Sequence, residues 1–334
     1  MAGKLSRTPR LYLDPEQNPI PLIDGLAVSE AYNPENNPHQ TSPRDYNAKL
    51  DCDSRSDQAE QDDASTEKLI QISAEHSHYL IRVLRLQKDC DVTIFDGRLY
   101  TETSVARKND TKTRPKDSGL QQATYGEYQT RIKVADKRAC VLEILSFTQT
   151  YSLPDTKFTA LLGTTKGDRL DWALQKSVEL GASSIVLMPC SRSQIKLSEA
   201  KRENLQGIVR SACEQSGRCE LPSFAIAPSF EAAIEGIRSN RATRHGYCFF
   251  DHRARQSLGS WCRSFAGKQQ ASTPSLPAYV AFATGPEGGF TDDERSQLEE
   301  SNFTAVRLGP RVLRAETAPV AALSVLQHEL GDFT

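Results

Sequence analysis

Two short stretches in the C-terminal third carry the residue types needed to hold a flat, partly apolar ligand against peptide backbone. The first, Ala283 to Phe290, reads ATGPEGGF and follows the apolar run AYVAF. Its three glycines remove side-chain crowding, so N–H and C=O groups can approach a ligand closely. It lacks the G-K-[S/T] of a phosphate loop and the G-x-G-x-x-G of a dinucleotide loop, which leaves a ligand cradle or a plain structural turn. The second, Arg307 to Ala318, reads RLGPRVLRAETA and also follows a strand-like run. Gly309-Pro310 makes a tight turn, Val312 and Leu313 return the chain to apolar surroundings, and Arg311, Arg314 and Glu316 crowd around them. Glu316 or Thr317 could cap the helix that follows. Two glycine-bearing loops at successive strand ends suit a nucleotide-like cofactor, whose adenine is read by backbone groups and sandwiched by aliphatic side chains.

The elements that must position these loops alternate regularly. From residue 154 onward, FTALLG, SSIVLMPC, GYCFFD, AYVAFA and FTAVRLG are strand candidates. They are separated by helical patterns at DRLDWALQKSVELG, at roughly 198–216, at SFEAAIEGI and at 317–330. Gly181 stands where the first of these helices should end. In the long helix Leu205, Ile208, Val209 and Ala212 form one stripe, and Thr291 with Glu294 three residues on is a capping box. Strands alternating with helices predict a mostly parallel sheet covered on both faces, with ligands at the carboxyl ends of its strands. Residues 67–150 read differently. KLIQIS, DVTIFDG, YQTRIKVAD and ACVLEILSFT are short and β-branched, and HSHYLIRVLRL is helical with Leu80, Val83, Leu84 and Leu86 in phase. The RTPRLYL segment at 7–13 is placed to pair with this small β-rich block.

Polar stretches interrupt both blocks. Residues 14–66 and 104–128 are poor in aliphatics and predict disordered insertions, and 267–277 repeats the pattern. With 38% hydrophobic residues and a mean hydropathy of -0.52, much of the polarity belongs to these stretches. Residues 1–66 hold six basic and twelve acidic side chains, leaving 35 basic and 31 acidic in the remainder. A mildly basic body can bind phosphate locally, and an ordinary soluble surface fits the same balance. The eight cysteines form no C-x-x-C pair and predict buried free thiols in a reducing compartment. No apolar run reaches transmembrane length, the start MAGKLSRTPR lacks the apolar core of a secretory signal, and the six histidines show no metal-ligand spacing. The expectation is a cytoplasmic protein without a metal.

GPEGGF and LGPRVLRAETA resemble the signature loops of the ribosomal RNA small subunit methyltransferase E family, of the SPOUT superfamily. RTPRLYL, HYLIRVLRLQKDCDVTIFDG, KGDRLDWALQKSVELGASSIVLMPCSRSQIKL and SACEQSGRCELP are similar to further segments of that family, in the same order. The resemblance implies a small PUA-like β-barrel, RNA-binding, within 1–150. A knotted α/β domain of SPOUT type at 151–334, with a mostly parallel sheet and helices on both faces, would follow. It implies methylation of uridine N3 in 16S rRNA, S-adenosylmethionine as cofactor, the small ribosomal subunit as substrate and a homodimer. Carried onto this chain, the cofactor residues are Thr284, Gly285, Glu287, Gly288 and Gly289 in the first loop. In the second they are Leu308, Gly309, Leu313, Arg314, Glu316 and Thr317. The chain departs from the family at Ser191, where a Glu commonly precedes the Arg.

Methyl transfer to an imide nitrogen is an in-line displacement governed by alignment, with negative charge developing on the ring oxygens. On this reading Arg192 serves the base or its adjacent phosphate, Arg314 the cofactor-side loop, and Glu287 is an organiser or proton acceptor. Arg314 could instead pair with Glu316, and Glu287 could cap local amides. Arg10, Arg82, Arg85, Lys166, Lys176 and Arg218 are candidate phosphate contacts, Arg218 alternatively pairing with Glu214 four residues before it. A non-catalytic RNA-binding assembly factor, or a related methyltransferase acting on another RNA, are the competing readings. A dehydrogenase would need a G-x-G-x-x-G that GTTKGDR at 163–169 does not supply.

Overall fold

The computed structural model describes residues 8–18, 20, 26–28, 68–102, 124–152, 156–193, 199–238, 244–267 and 278–333. The first block forms a curled seven-stranded sheet from β1 (Arg10–Tyr12), β2 (Leu26–Val28), β3 (Leu69–Gln71), β4 (Asp91–Phe95), β5 (Tyr100–Glu102), β6 (Thr124–Val134) and β7 (Val141–Ser152). As expected, the RTPRLYL segment joins it, β1 running parallel to β4. β6 buries every second residue over most of its length, and three register shifts against β7 bend the pair. Leu11, Leu13, Ile72, Val92, Ile94, Tyr128, Ile132 and Leu142 fill the concave side.

Three expectations need correction here. Residues 14–66 are not wholly without structure: Asn18 is fully buried, its side chain accepts the Ser73 N–H at 2.9 Å, and β2 pairs with β5. Apart from residues 14–18, 20 and 26–28, that stretch lies outside the described residues, as does 103–123. The 104–128 insertion was also drawn too long. Thr124 to Tyr128 belong to β6, and Tyr128 is a core residue whose hydroxyl donates to Tyr100. The helical reading of HSHYLIRVLRL shortens to α1 (Ala74–His78) and a π-helical turn over Tyr79–Val83, leaving Val83 58% exposed.

The second block contains β8 (Thr156–Gly163), α2 (Asp168–Glu179), β9 (Ser184–Met188), α3 (Glu199–Ser216), β10 (Ser223–Ile226) and α4 (Phe230–Arg238). β11 (Arg244–Phe250), α5 (Leu258–Gly267), β12 (Ala278–Thr284), α6 (Asp292–Glu300), β13 (Thr304–Val306) and α7 (Thr317–Leu330) complete it. The six strands are all parallel, in the order β10-β9-β8-β12-β11-β13. Central β8 and β12 are buried on both faces, which explains their nearly continuous apolar runs. α2, α3, α5 and α7 pack one face through Leu174, Val209, Trp261 and Leu323. α4 and α6 cover the other through Phe230, Ile234 and Leu298. α2 ends at Gly181, whose φ of +86° suits glycine, and the Leu180 carbonyl accepts from the Gln327 amide at 2.8 Å. Successive strands β8, β9 and β10 step one way from the centre, whereas β12, β11 and β13 lie the other way. The seam between β8 and β12 is therefore a switch point, where α/β sheets open a crevice at their carboxyl ends. Among the described residues no helix is long and apolar enough to cross a membrane.

Candidate functional site

The two glycine loops leave β12 and β13, which are consecutive in the chain but not neighbours in the sheet: β11 runs between them. Together the three strand ends enclose a hollow of about 250 Å³. Thr284, Gly285, Glu287, Gly288 and Gly289 line it from the first loop, and Leu308, Gly309 and Leu313 from the second. Phe250, Asp251 and His252 at the end of β11 complete the wall and escaped the sequence reading. The only signal for them was GYCFFD, legible as a strand but not as a neighbour of the loops. Arg314, Glu316 and Thr317 stand outside this lining, at the turn into α7, where Ala315 and Ala318 face the hollow instead.

Backbone geometry fixes the first loop. Gly289 has a φ of +66°, in the left-handed region, and its N–H returns to the Pro286 carbonyl at 2.8 Å. A side chain at Gly163, the last residue of β8, would come within 2.7 Å of the Pro286 nitrogen. The loop thus rests directly on β8. In the second loop Gly309 has a φ of +131°. The expected cap is absent: Glu316 occupies the N-cap position of α7 without a side-chain hydrogen bond to its amides, its own backbone being helical already. Pro319 in the first turn sacrifices no helical bond.

Arg192, just past β9, reaches the back of the first loop. Its Nη1 donates to the Gly288 carbonyl at 2.7 Å and to that of Phe290 at 3.2 Å. Ser191, where the family's Glu is missing, gives its backbone N–H to Glu294 at 2.6 Å. That carboxylate is buried, closes the capping box with Thr291, and so brings a negative charge to the same strand end from α6. Glu287 accepts the Lys166 N–H at 3.3 Å and lies 3.5 Å from Arg169 Nη1. Arg314 is 77% exposed and 3.9 Å from Glu316. Beyond Glu287 and Gly288 opens a second, wider hollow of about 580 Å³, bounded by Lys166, Arg169, Ser191, Arg192 and Ser193. Asp251 is held by Arg295 at 2.5 Å and by Arg253. Burial pushes its carboxyl upward, but the Arg253 N–H and the two guanidinium groups outweigh this and keep it below the ordinary range.

The candidate phosphate contacts separate by location. Lys166 and Arg192 meet at the second hollow. Arg82 and Arg85 are exposed on the other block, Arg85 with a φ of 57°. Lys176 is tied to Glu179 at 2.7 Å. Two expectations are corrected. Arg10 is only 8% exposed, bound to Glu127 at 2.8 Å and over the Phe95 ring, inside the junction between the two blocks. Arg218 donates to the carbonyls of Val178 and Ala182 at 2.9 and 2.8 Å, stitching the end of α2. The Glu214 carboxylate accepts instead from the Tyr12 N–H across the junction. Both guanidinium groups are thus engaged within the protein rather than offered as free surface cations.

Residues 152–327 match the model of an RNA methyltransferase domain. The chain is 31% identical over 258 residues to ribosomal RNA small subunit methyltransferase E of Synechocystis sp., covering 77% of this chain and 72% of that protein. The chain belongs to the ribosomal RNA small subunit methyltransferase E family. The Bacillus subtilis member is 32% identical over 200 residues, 58% of this chain and 73% of its own length. A crystal structure of the Neisseria gonorrhoeae member bound to S-adenosylmethionine superposes with a TM-score of 0.61 at 29% identity, covering 82% of this chain and 97% of that one.

Proposed function

We propose that this protein transfers a methyl group from S-adenosylmethionine to N3 of a uridine in 16S ribosomal RNA, within the small ribosomal subunit. One observation carries the reading: a glycine-walled hollow and a cationic one lie back to back, sharing Glu287 and Gly288. A donor and an acceptor need such an arrangement. The names of the relatives and the donor bound in the Neisseria structure support the same chemistry.

The residues fit the cofactor. An adenosyl group needs an apolar slot beside free backbone, which Phe250, Val306, Leu308 and Leu313 provide together with Gly285, Gly289 and Gly309. Its sulfonium and amino groups are cationic, and the carboxylate residues Asp251 and Glu287 line the same hollow. Bound there, the cofactor supplies an electrophilic methyl group. The chain's own residues do the rest. Uridine N3 lies on the Watson–Crick edge, so the target base must be unpaired, and the second hollow admits it. Arg192 stabilises negative charge growing on the ring oxygens or holds the adjacent phosphate. Glu287, which faces both hollows, takes the N3 proton. Arg314 acts on the cofactor side, through Glu316.

The finer architecture belongs to the same reading. The bends between β6 and β7 support a PUA-like barrel, and the return of α7 from the second loop onto α2 and β8 supports a SPOUT-type knot. Trp172 of α2, 40% exposed, supports a homodimer; the place of action is the cytoplasm. Mapping of modified uridines in 16S rRNA by mass spectrometry, with and without the gene, tests the activity. A methylated N3 site that vanishes with the gene is expected, and an unchanged map refutes it. Calorimetric titration separates the enzyme from a non-catalytic binder, which would not retain the donor.

A further inference from the structure

Arg169 was not singled out by the sequence, yet it reaches a carboxylate of each glycine loop and lines the second hollow. It lies in the first turn of α2, just after Gly167 turns the chain with a φ of +60°. Its Nη1 is 3.5 Å from Glu287 of the first cofactor loop and its Nε 4.0 Å from Glu316 of the second. One guanidinium thus spans the carboxylates of both loops. Both contacts are long and the side chain is 50% exposed, so the pairing is weak and exchangeable. The same side chain bounds the second hollow with Lys166 and Arg192. Three cations, from the turn before α2, its first turn and the turn after β9, line a space of about 580 Å³ together with one carboxylate, Glu287.

We infer that Arg169 binds a backbone phosphodiester of the single-stranded RNA substrate, giving up its two carboxylates as the strand enters and seating the phosphate with Lys166 and Arg192. This rests on the methyltransferase reading above and adds a substrate contact to it. A guanidinium offers two parallel N–H donors to a phosphate, a better match than two distant carboxylates. The exchange releases Glu287 from its cation at the moment the acceptor base arrives, so the free protein keeps its loops tied and the loaded one frees its proton acceptor.

The test uses the full chain, S-adenosylmethionine and a short single-stranded oligouridylate, with RNA affinity measured across a salt series. Wild-type protein that neither retains the cofactor nor modifies 16S rRNA refutes the functional reading, and the inference with it. Given an active wild type, Arg169→Gln should lower RNA affinity about tenfold. It should also make the slope of log affinity against log salt shallower by about 0.7, the share of one phosphate on a single strand. Cofactor affinity should change by less than about threefold, because each carboxylate contact is weak. KM for RNA should rise more than kcat falls. Arg169→Lys should keep the wild-type slope and recover part of the affinity, a point charge replacing a fork. It also carries the test if the Gln variant fails to fold, unchanged affinity then overturning the inference. RNA affinity and slope unaltered in Arg169→Gln overturn it too, as does a loss confined to cofactor binding, which would make Arg169 a brace only.

Discussion

Gly163 shows how one absent side chain sets the geometry of a site. A methyl group there would meet the Pro286 nitrogen at 2.7 Å and the Gly285 carbonyl carbon at 2.9 Å, both backbone atoms without a rotamer to yield. Gly163→Ala should therefore displace the first loop while sparing the buried sheet. Overpacking of this kind costs about 1–3 kcal/mol, so cofactor affinity should fall about tenfold or more by calorimetry, with a smaller change in Tm. Arg192 is the second residue-scale case. Its guanidinium holds two carbonyls of the first loop, and a hydrogen bond involving a charged group is worth about 1.5–3 kcal/mol. Arg192→Ala should consequently weaken cofactor binding as well as turnover, whereas a residue that served only the base would leave binding intact. Initial-rate kinetics paired with calorimetry separates the two outcomes.

At the scale of elements, legibility followed periodicity. The capping box at Thr291, the end of α2 at Gly181 and the span of α3 were readable because short-range chemistry fixes them. The residues closing the cofactor hollow from β11 were not. Chain order places β12 and β13 next to each other, whereas the sheet inserts β11 between them, and no local pattern encodes that order. For the same reason Arg10 and Arg218 looked like surface cations: nothing in their neighbours announces a junction between blocks. Asp251, on that missed strand end, gives a pH prediction. Its folded carboxyl titrates below the ordinary value of 3.8, so its contribution to stability is complete above about pH 5, shrinks below that, and is lost as pH falls through the lower folded value. Asp251→Asn should flatten the acid limb of a plot of Tm against pH while leaving the difference between the two proteins constant above about pH 5.

At the scale of the whole molecule, the two blocks meet through polar contacts rather than a shared greasy seam alone. Arg10 with Glu127 and Cys219, the Tyr12 N–H with Glu214, and the Tyr125 hydroxyl with Glu220 all cross or line that junction. Removing one member of a mostly buried ion pair leaves the other charge poorly compensated. Arg10→Met should lower stability by on the order of 2 kcal/mol, a Tm drop of several degrees by scanning calorimetry. A double substitution with Glu127→Gln should restore part of that loss. The thiols buried in this body should stay inert: burial pushes Cys213, Cys190 and Cys262 up to about 12 and Cys140 to about 11, far from thiolate at neutral pH.

The partition made by Glu287 and Gly288 also bears on traffic. With one compartment on either side of it, a spent donor can depart and a fresh one arrive while the nucleic acid stays docked, and the reverse holds equally. On the proposed reading neither reactant has to queue behind the other, so initial-rate and product-inhibition kinetics should show random rather than obligatory order.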